Sequence, residues 1–389
     1  MKKLIRITTV PISFKVLLKG QLRFMASNGF DVKGVSSEGE ELREVHENEG
    51  IVMEAINMSR KITPFQDLKS LWEMWNFLRK EKPQIVHTHT PKAGIIGMLA
   101  ARLAGVPYRL HTVAGLPLIE ATGTKRKILN FVEKLTYSSA TRVYPNSKGL
   151  YDFILQNNFT QSNKLKIIAN GSSNGINTTF FSPAQVSEIE KVALREKLNI
   201  QPDDFVFVFV GRIVSDKGIN ELIKAFSELQ TAENNELTGI KLLLVGGLES
   251  DLDPLNPETL AEINQNKDII SAGFQQDVRP FFAISDALAF PSYREGFPNV
   301  VMQAGAMGLP SIVSDINGCN EIIVEGENGL IIPSKNVEKL KEKMLTLARD
   351  KNLYVKLKEN SRRMIENRYE QSVVWNALLE EYEGLLQSV

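Results

Sequence analysis

Cysteine is almost absent from this chain. Cys319 is the single one among 389 residues, so no internal disulfide can form and a reducing compartment fits. Long apolar runs are missing too. The most apolar helix-like stretch, Ala93 to Val106, contains Arg102 and is too short to span a bilayer. At the start, Arg6 and Lys15 interrupt the apolar run that a signal peptide would need. No run of like charge exceeds Lys125-Arg126-Lys127, and no short-period repeat or low-complexity segment is present. Ser-His-Asp, zinc and nucleic-acid signatures are also lacking. These absences exclude a disulfide scaffold and a spanning protein, and point to a cytoplasmic enzyme or binding protein.

What is present is a chain long enough for two domains. Formal net charge is zero, but residues 1–180 hold 25 Lys+Arg against 14 Asp+Glu, leaving 21 against 32 for the rest. A basic first half suits an anionic membrane surface or a lipid-phosphate substrate; chance asymmetry of solvated faces explains it equally well. Strands are expected at Lys3–Val10, Asp31–Ser36, Ile51–Asn57, Ile85–His89 and Tyr108–Thr112, with helices at Phe14–Asn28, Pro64–Glu81 and Ala93–Ala104. Leu68, Leu71, Trp72, Trp75 and Leu78 recur at helical spacing and read as core. The pattern restarts after Asn170–Asn177, with strands at 205–210, 241–245, 269–273, 288–291, 311–314 and 329–332. This alternation predicts an α/β chain of two doubly wound sheets. The expected domains are 1–180, 181–370 and a terminal helix in 371–389.

Two loops carry most of the chemistry. Gly211-Arg212-Ile213-Val214-Ser215-Asp216-Lys217-Gly218 follows an all-apolar strand and opens a helix. Two cations beside free backbone N–H groups suit a diphosphate. The spacing is neither a P-loop nor a dinucleotide fingerprint, which counts against an NTPase or a dehydrogenase. The second loop, Pro291 to Pro298, holds Glu295 and leads into an apolar helix with Asn299 as its expected N-cap and Gly308 just past its end. Gln303 is the one polar side chain in that helix, and a buried amide without partners costs roughly 1–3 kcal/mol. A ligand at the helix N-terminus is one candidate partner.

Other candidates are weaker. Gly246 ends a strand where a nucleotide could approach the backbone, and Phe274 ends the next and could flank a base. His111 is expected at the carboxyl end of its strand. His87 and His89 share one strand face without a third metal ligand in view, and Asp251-Leu252-Asp253 reads as a solvated acidic loop.

Assembled, these residues resemble the retaining nucleotide-sugar glycosyltransferases of family 4, of bacterial surface-polysaccharide type. The resemblance spans essentially the whole chain and is most specific at Gly211-Arg212 to Lys217-Gly218, Gly273-Phe274 and Glu295-Gly296-Phe297-Pro298. It implies the GT-B fold, two Rossmann-like domains facing a central cleft, with the terminal helix packing back toward the N-terminal domain. It implies that Arg212 and Lys217 hold the donor diphosphate and that Glu295 bonds sugar hydroxyls. Backbone N–H groups of Gly296, Phe297, Pro298's neighbourhood and Asn299 would add contacts, and His111 would face the donor sugar or acceptor. It further implies a nucleoside-diphosphate sugar donor, with uridine preferred, no metal or other cofactor, and no nucleic acid. The implied acceptor is a lipid-diphosphate-linked glycan at the cytoplasmic face of the inner membrane.

The chain departs from the family twice. Gln303 stands where a second glutamate usually accepts the ribose diol; glutamine can still accept, but is neutral. Pro11-Ile12-Ser13-Phe14-Lys15 occupies a place usually rich in glycine, and Lys15 either substitutes for that backbone or faces solvent. Two rival readings follow: a GT-B nucleotide-sugar epimerase, and a catalytically silent nucleotide-sugar-binding subunit.

Overall fold

The computed structural model describes residues 2–119, 121–231, 239–249 and 253–387. It divides into two compact units, Met1–Gly175 with Gln371–Val389, and Ile176–Glu370. The first unit thus ends at Gly175 rather than at 180.

In the first unit, β1 (Lys2–Ile7), β2 (Phe30–Ser36), β3 (Val52–Ala55), β4 (Ile85–Thr88), β5 (Tyr108–Val113) and β6 (Arg142–Pro145) form one parallel sheet. Its order is β3-β2-β1-β4-β5-β6. Alternate side chains divide the core. Ile5, Ile7, Val86 and Val143 face the helices Pro64–Glu81, Pro91–Leu103, Gly123–Ser139 and Lys148–Gln156. Leu4, Ile85, Leu110 and Tyr144 face Gln21–Ser27 and the terminal helix Gln371–Gln387, which buries Leu378 and Tyr382.

Three expectations fail in this unit. The single helix expected over 14–28 is two, Ile12–Leu17 and Gln21–Ser27. Gly20 breaks it at φ +83°, and a Cβ there would stand 2.6 Å from the Trp375 ring, so only glycine fits. Leu68 and Trp72 are not core: they are 64% and 61% exposed, because the helix buries the opposite stripe of Ser70, Met74 and Leu78. Strand β6 was not expected at all.

The same sheet buries one arginine. Arg6 donates from Nε to His89 Nε2 (2.9 Å) and from Nη2 to Gln21 Oε1 (2.5 Å). Arginine cannot accept, so His89 carries its proton on Nδ1. The ring of His87 lies between Tyr382 Oη (2.5 Å) and Thr112 Oγ1 (2.7 Å).

In the second unit, β7 (Phe205–Val210), β8 (Ile240–Val245), β9 (Ile269–Gly273), β10 (Ala287–Phe290), β11 (Ser311–Ser314) and β12 (Gly329–Ile332) are again all parallel. Their order is β12-β11-β10-β7-β8-β9. Phe207, Val208 and Phe209 are fully buried, as a central parallel strand covered on both faces requires. Two parallel six-stranded sheets with flanking helices are the GT-B architecture. No helix among the described residues is long and apolar enough to cross a membrane.

Candidate functional site

The strand order of the second unit decides where its site lies. From β7 the chain winds outward through β8 and β9, then returns to place β10 on the other side of β7. The loops after β7 and β10 therefore leave the carboxyl edge side by side, at the topological switch point where such sheets bind ligands. These are the two loops that hold Lys217 and Glu295.

The loops are locked together by backbone. Gly218, at φ +72°, has no room for a side chain: a Cβ would lie 2.1 Å from the Pro291 carbonyl oxygen. Tyr293 N–H donates to the Asp216 carbonyl (2.9 Å), and Arg294 pairs with the Asp216 carboxylate (2.8 Å). Across this seam the Lys217 ammonium meets Glu295 Oε1 at 2.5 Å, with both side chains about one-sixth exposed, at 16% and 17%. Fully buried Ser292 donates to the same carboxylate oxygen (3.0 Å). From the loop after β11, the Asn317 amide donates to the carbonyls of Gly296 (2.6 Å) and Glu295 (3.2 Å). Gly318 lets that loop close in, since a Cβ there would stand 2.6 Å from the Gly296 oxygen. Behind it, burial first and then the Glu295 charge push the Cys319 thiol up, so it is protonated and no nucleophile.

Glu295-Gly296-Phe297-Pro298 leads into the helix Asn299–Ala306. Its N-cap is Pro298, not Asn299, and no side chain caps it. The first N–H groups thus keep their capacity for an anion. The Phe297 ring anchors this loop, packing edge-on against Tyr369 at 5.4 Å. Gln303 is half-buried and makes no side-chain hydrogen bond to the described residues. Gly308 closes the helix at φ +81°, where it was expected.

The remaining candidates are scattered. Arg212 is half-exposed and pairs with Glu249 (3.2 Å), so the two cations of the first loop take different partners. Glycine at 246 is required by the chain's own packing, since a Cβ there would lie 1.7 Å from the Gly211 oxygen; Gly247 beside it faces open space. Phe274 is 79% exposed at the end of the edge strand β9. His111 does not end its strand. It lies inside β5, buried against Gly94, with Nδ1 on Thr88 Oγ1 (2.7 Å), and burial lowers its pKa to about 4. Asp251 and Leu252 lie outside the described residues; Asp253 accepts from the Asp216 N–H (2.6 Å). Lys15 pairs with Glu44 (2.5 Å) at the surface. No group of three or more His, Cys, Asp or Glu that could hold a metal occurs among the described residues. Ser292 and Asn317 escaped the sequence reading: Ser292 reads as packing at the end of a buried strand although it donates to Glu295 within its own loop, and Asn317 acts on a loop distant in sequence.

Residues 190–364 match the family described as glycosyl transferases group 1, and residues 18–171 match the glycosyl transferase 4-like domain. The capsular polysaccharide biosynthesis glycosyltransferase CapM of Staphylococcus aureus is 34% identical over 387 residues, covering 99% of this chain and 98% of the relative. The chain belongs to the family 4, group 1 glycosyltransferases. A second relative of this glycosyltransferase is the Escherichia coli UDP-Gal:alpha-D-GlcNAc-diphosphoundecaprenol alpha-1,3-galactosyltransferase. It is 30% identical over 352 residues, covering 89% of this chain and 87% of the relative. Among solved structures, HepE of Anabaena in complex with UDP superposes with a TM-score of 0.79 at 18% identity, covering 99% of this chain and all of that one. At that identity the likeness shows the GT-B fold.

Proposed function

We propose that this glycosyltransferase moves a hexosyl or N-acetylhexosaminyl unit, with retention at the anomeric carbon, from a UDP-sugar to a hydroxyl of a lipid-diphosphate-linked glycan in capsular or related surface-polysaccharide assembly. The observation that carries the reading is the Lys217–Glu295 pair at the switch point. A free cation and a free carboxylate there would each need a partner; held on one another, they keep a polar site intact until a donor brings phosphate for the lysine and hydroxyls for the glutamate. When the bond from anomeric carbon to diphosphate breaks, its electron pair passes to the departing phosphate oxygen. Lys217 and Arg212 then stabilise that charge, with the uncapped helix N-terminus adding to it. Glu295 orients the sugar, and Gln303 takes the ribose. His111, buried and neutral, supports Thr88 in this reading and does not meet the sugar. The acceptor class follows the diphosphoundecaprenol substrate in the name of the Escherichia coli relative.

The test is transfer from a panel of UDP-sugars to a synthetic lipid-diphosphate-linked sugar, with the product's anomeric configuration read by NMR. The expected product keeps the donor's configuration and forms at the same rate with a chelator present, because the two cations do the work of a metal. An inverted product or loss of activity on chelation contradicts the mechanism, and an epimerised UDP-sugar formed without acceptor contradicts the transfer itself.

A further inference from the structure

The first unit carries apolar side chains that its fold does not use. The helix Pro64–Glu81 buries Ser70, Met74 and Leu78. Its other side presents Phe65, Leu68 and Trp72 at 91%, 64% and 61% exposure, with Ile62 just ahead at 65%. The spacing 65, 68, 72 aligns them in one stripe along the first two turns. An isolated exposed apolar residue needs no explanation, but an aligned group with two aromatics does. The helix Gly123–Ser139 lies in the same layer and exposes Ile128 and Phe131.

The charges around these residues have one sign. Arg60 and Lys61 are exposed beside the first stripe. The acids of that stretch are taken up: Asp67 by Lys92 at 2.6 Å, and Glu73 by Lys69 at 3.8 Å. On the second helix Lys125, Lys127 and Lys134 are exposed, while its one acid, Glu133, is buried.

We propose that these two helix faces seat the glycosyltransferase on an anionic lipid bilayer. Phe65, Leu68 and Trp72 enter the boundary between headgroups and acyl chains, and the lysines lie against lipid phosphates. The choice of a bilayer rests on the reading of a lipid-linked acceptor and on charge complementarity. Lysine is depleted from protein–protein interfaces, whereas tryptophan with lysine is the usual pairing at a membrane surface. A second copy is disfavoured, because a two-fold contact would set the same lysines against each other.

The test is co-sedimentation of the full chain with vesicles of phosphatidylcholine alone and of phosphatidylcholine mixed with phosphatidylglycerol. Binding is expected only to the anionic vesicles and falls with added salt. The triple variant Phe65→Ser, Leu68→Ser, Trp72→Ser should bind on the order of tenfold more weakly or worse, with UDP binding unchanged. If the triple variant does not fold, Lys61→Glu with Lys127→Glu should weaken binding in the same direction. Equal binding of folded variants and wild type overturns the proposal, as does failure to bind anionic vesicles by protein that binds UDP. A concentration-dependent dimer abolished by the triple variant overturns it too. Vesicle binding needs neither sugar nor acceptor, so a failure of lipid-linked transfer would contradict the proposed reaction and leave this surface standing.

Discussion

Lys217 and Glu295 were legible because each sits in a βα loop of a doubly wound sheet, and such loops converge at the switch point. Ser292 and Asn317 were not legible. Ser292 follows a buried strand and looks like packing, yet it donates to Glu295; Asn317 acts through carbonyls of residues more than twenty positions earlier. His111 was misplaced for a related reason. Sequence put it on the correct strand but could not tell that Val113 still pairs with Pro145, which leaves the histidine inside the sheet. Gln303 is the residue whose role the geometry sharpens most, being half-buried and unbonded on the first turns of an uncapped helix. Gln303→Ala is expected to weaken UDP binding in calorimetry while turnover at saturating donor changes little, because the ribose is bound alike in ground and transition states. A lower turnover with unchanged UDP affinity would refute that role.

At the scale of elements, apolar parallel strands were read almost to the residue. Phe205–Val210, Ile269–Gly273, Ser311–Ser314 and Gly329–Ile332 all fall where expected. Strand β6 was missed because Arg142-Val143-Tyr144-Pro145 is short and opens on a charge. Helix breaks and exposed stripes were hidden for another reason: they depend on what lies opposite. Gly20 looks like any interior glycine until Trp375 fills its side-chain space. Trp72 falls at helical spacing with Leu71, Trp75 and Leu78 but sits on the far side of the helix from buried Met74 and Leu78. The loop contact at Gly318 gives a direct test. Gly318→Ala adds a Cβ against the Gly296 oxygen at φ +76°, a strain of roughly 1–3 kcal/mol. Chemical denaturation should show that loss, and because the displaced loop carries Glu295, transfer should fall further than stability alone explains. Wild-type stability and activity would mean that the two loops are not coupled.

At the scale of the whole molecule, the two-sheet architecture was plain from the alternation of strands and helices, and the unit boundary shifted by only a few residues. The pH response belongs to this scale as well. Burial lowers the pKa of His111 from 6.5 to about 4 and those of His87 and His89 well below their ordinary value. Each is neutral in the native state and takes up a proton on unfolding, so stability is complete above about pH 6.5 and is lost as pH falls toward 4. For His111 the loss approaches about 3 kcal/mol. Equilibrium unfolding at a series of pH values should show this decline, and a His111→Gln variant should show a shallower one. An unfolding free energy constant between pH 7 and 4 would contradict the buried neutral state. The central claim is that the charge pair joining the two switch-point loops is where the donor reacts. Initial rates of sugar transfer by Lys217→Ala and Glu295→Ala test it most directly. The account predicts a fall of at least ~10²-fold in turnover for each, the scale of one lost transition-state contact, in variants shown by circular dichroism to be folded at the assay temperature; near-wild-type rates in both would contradict it.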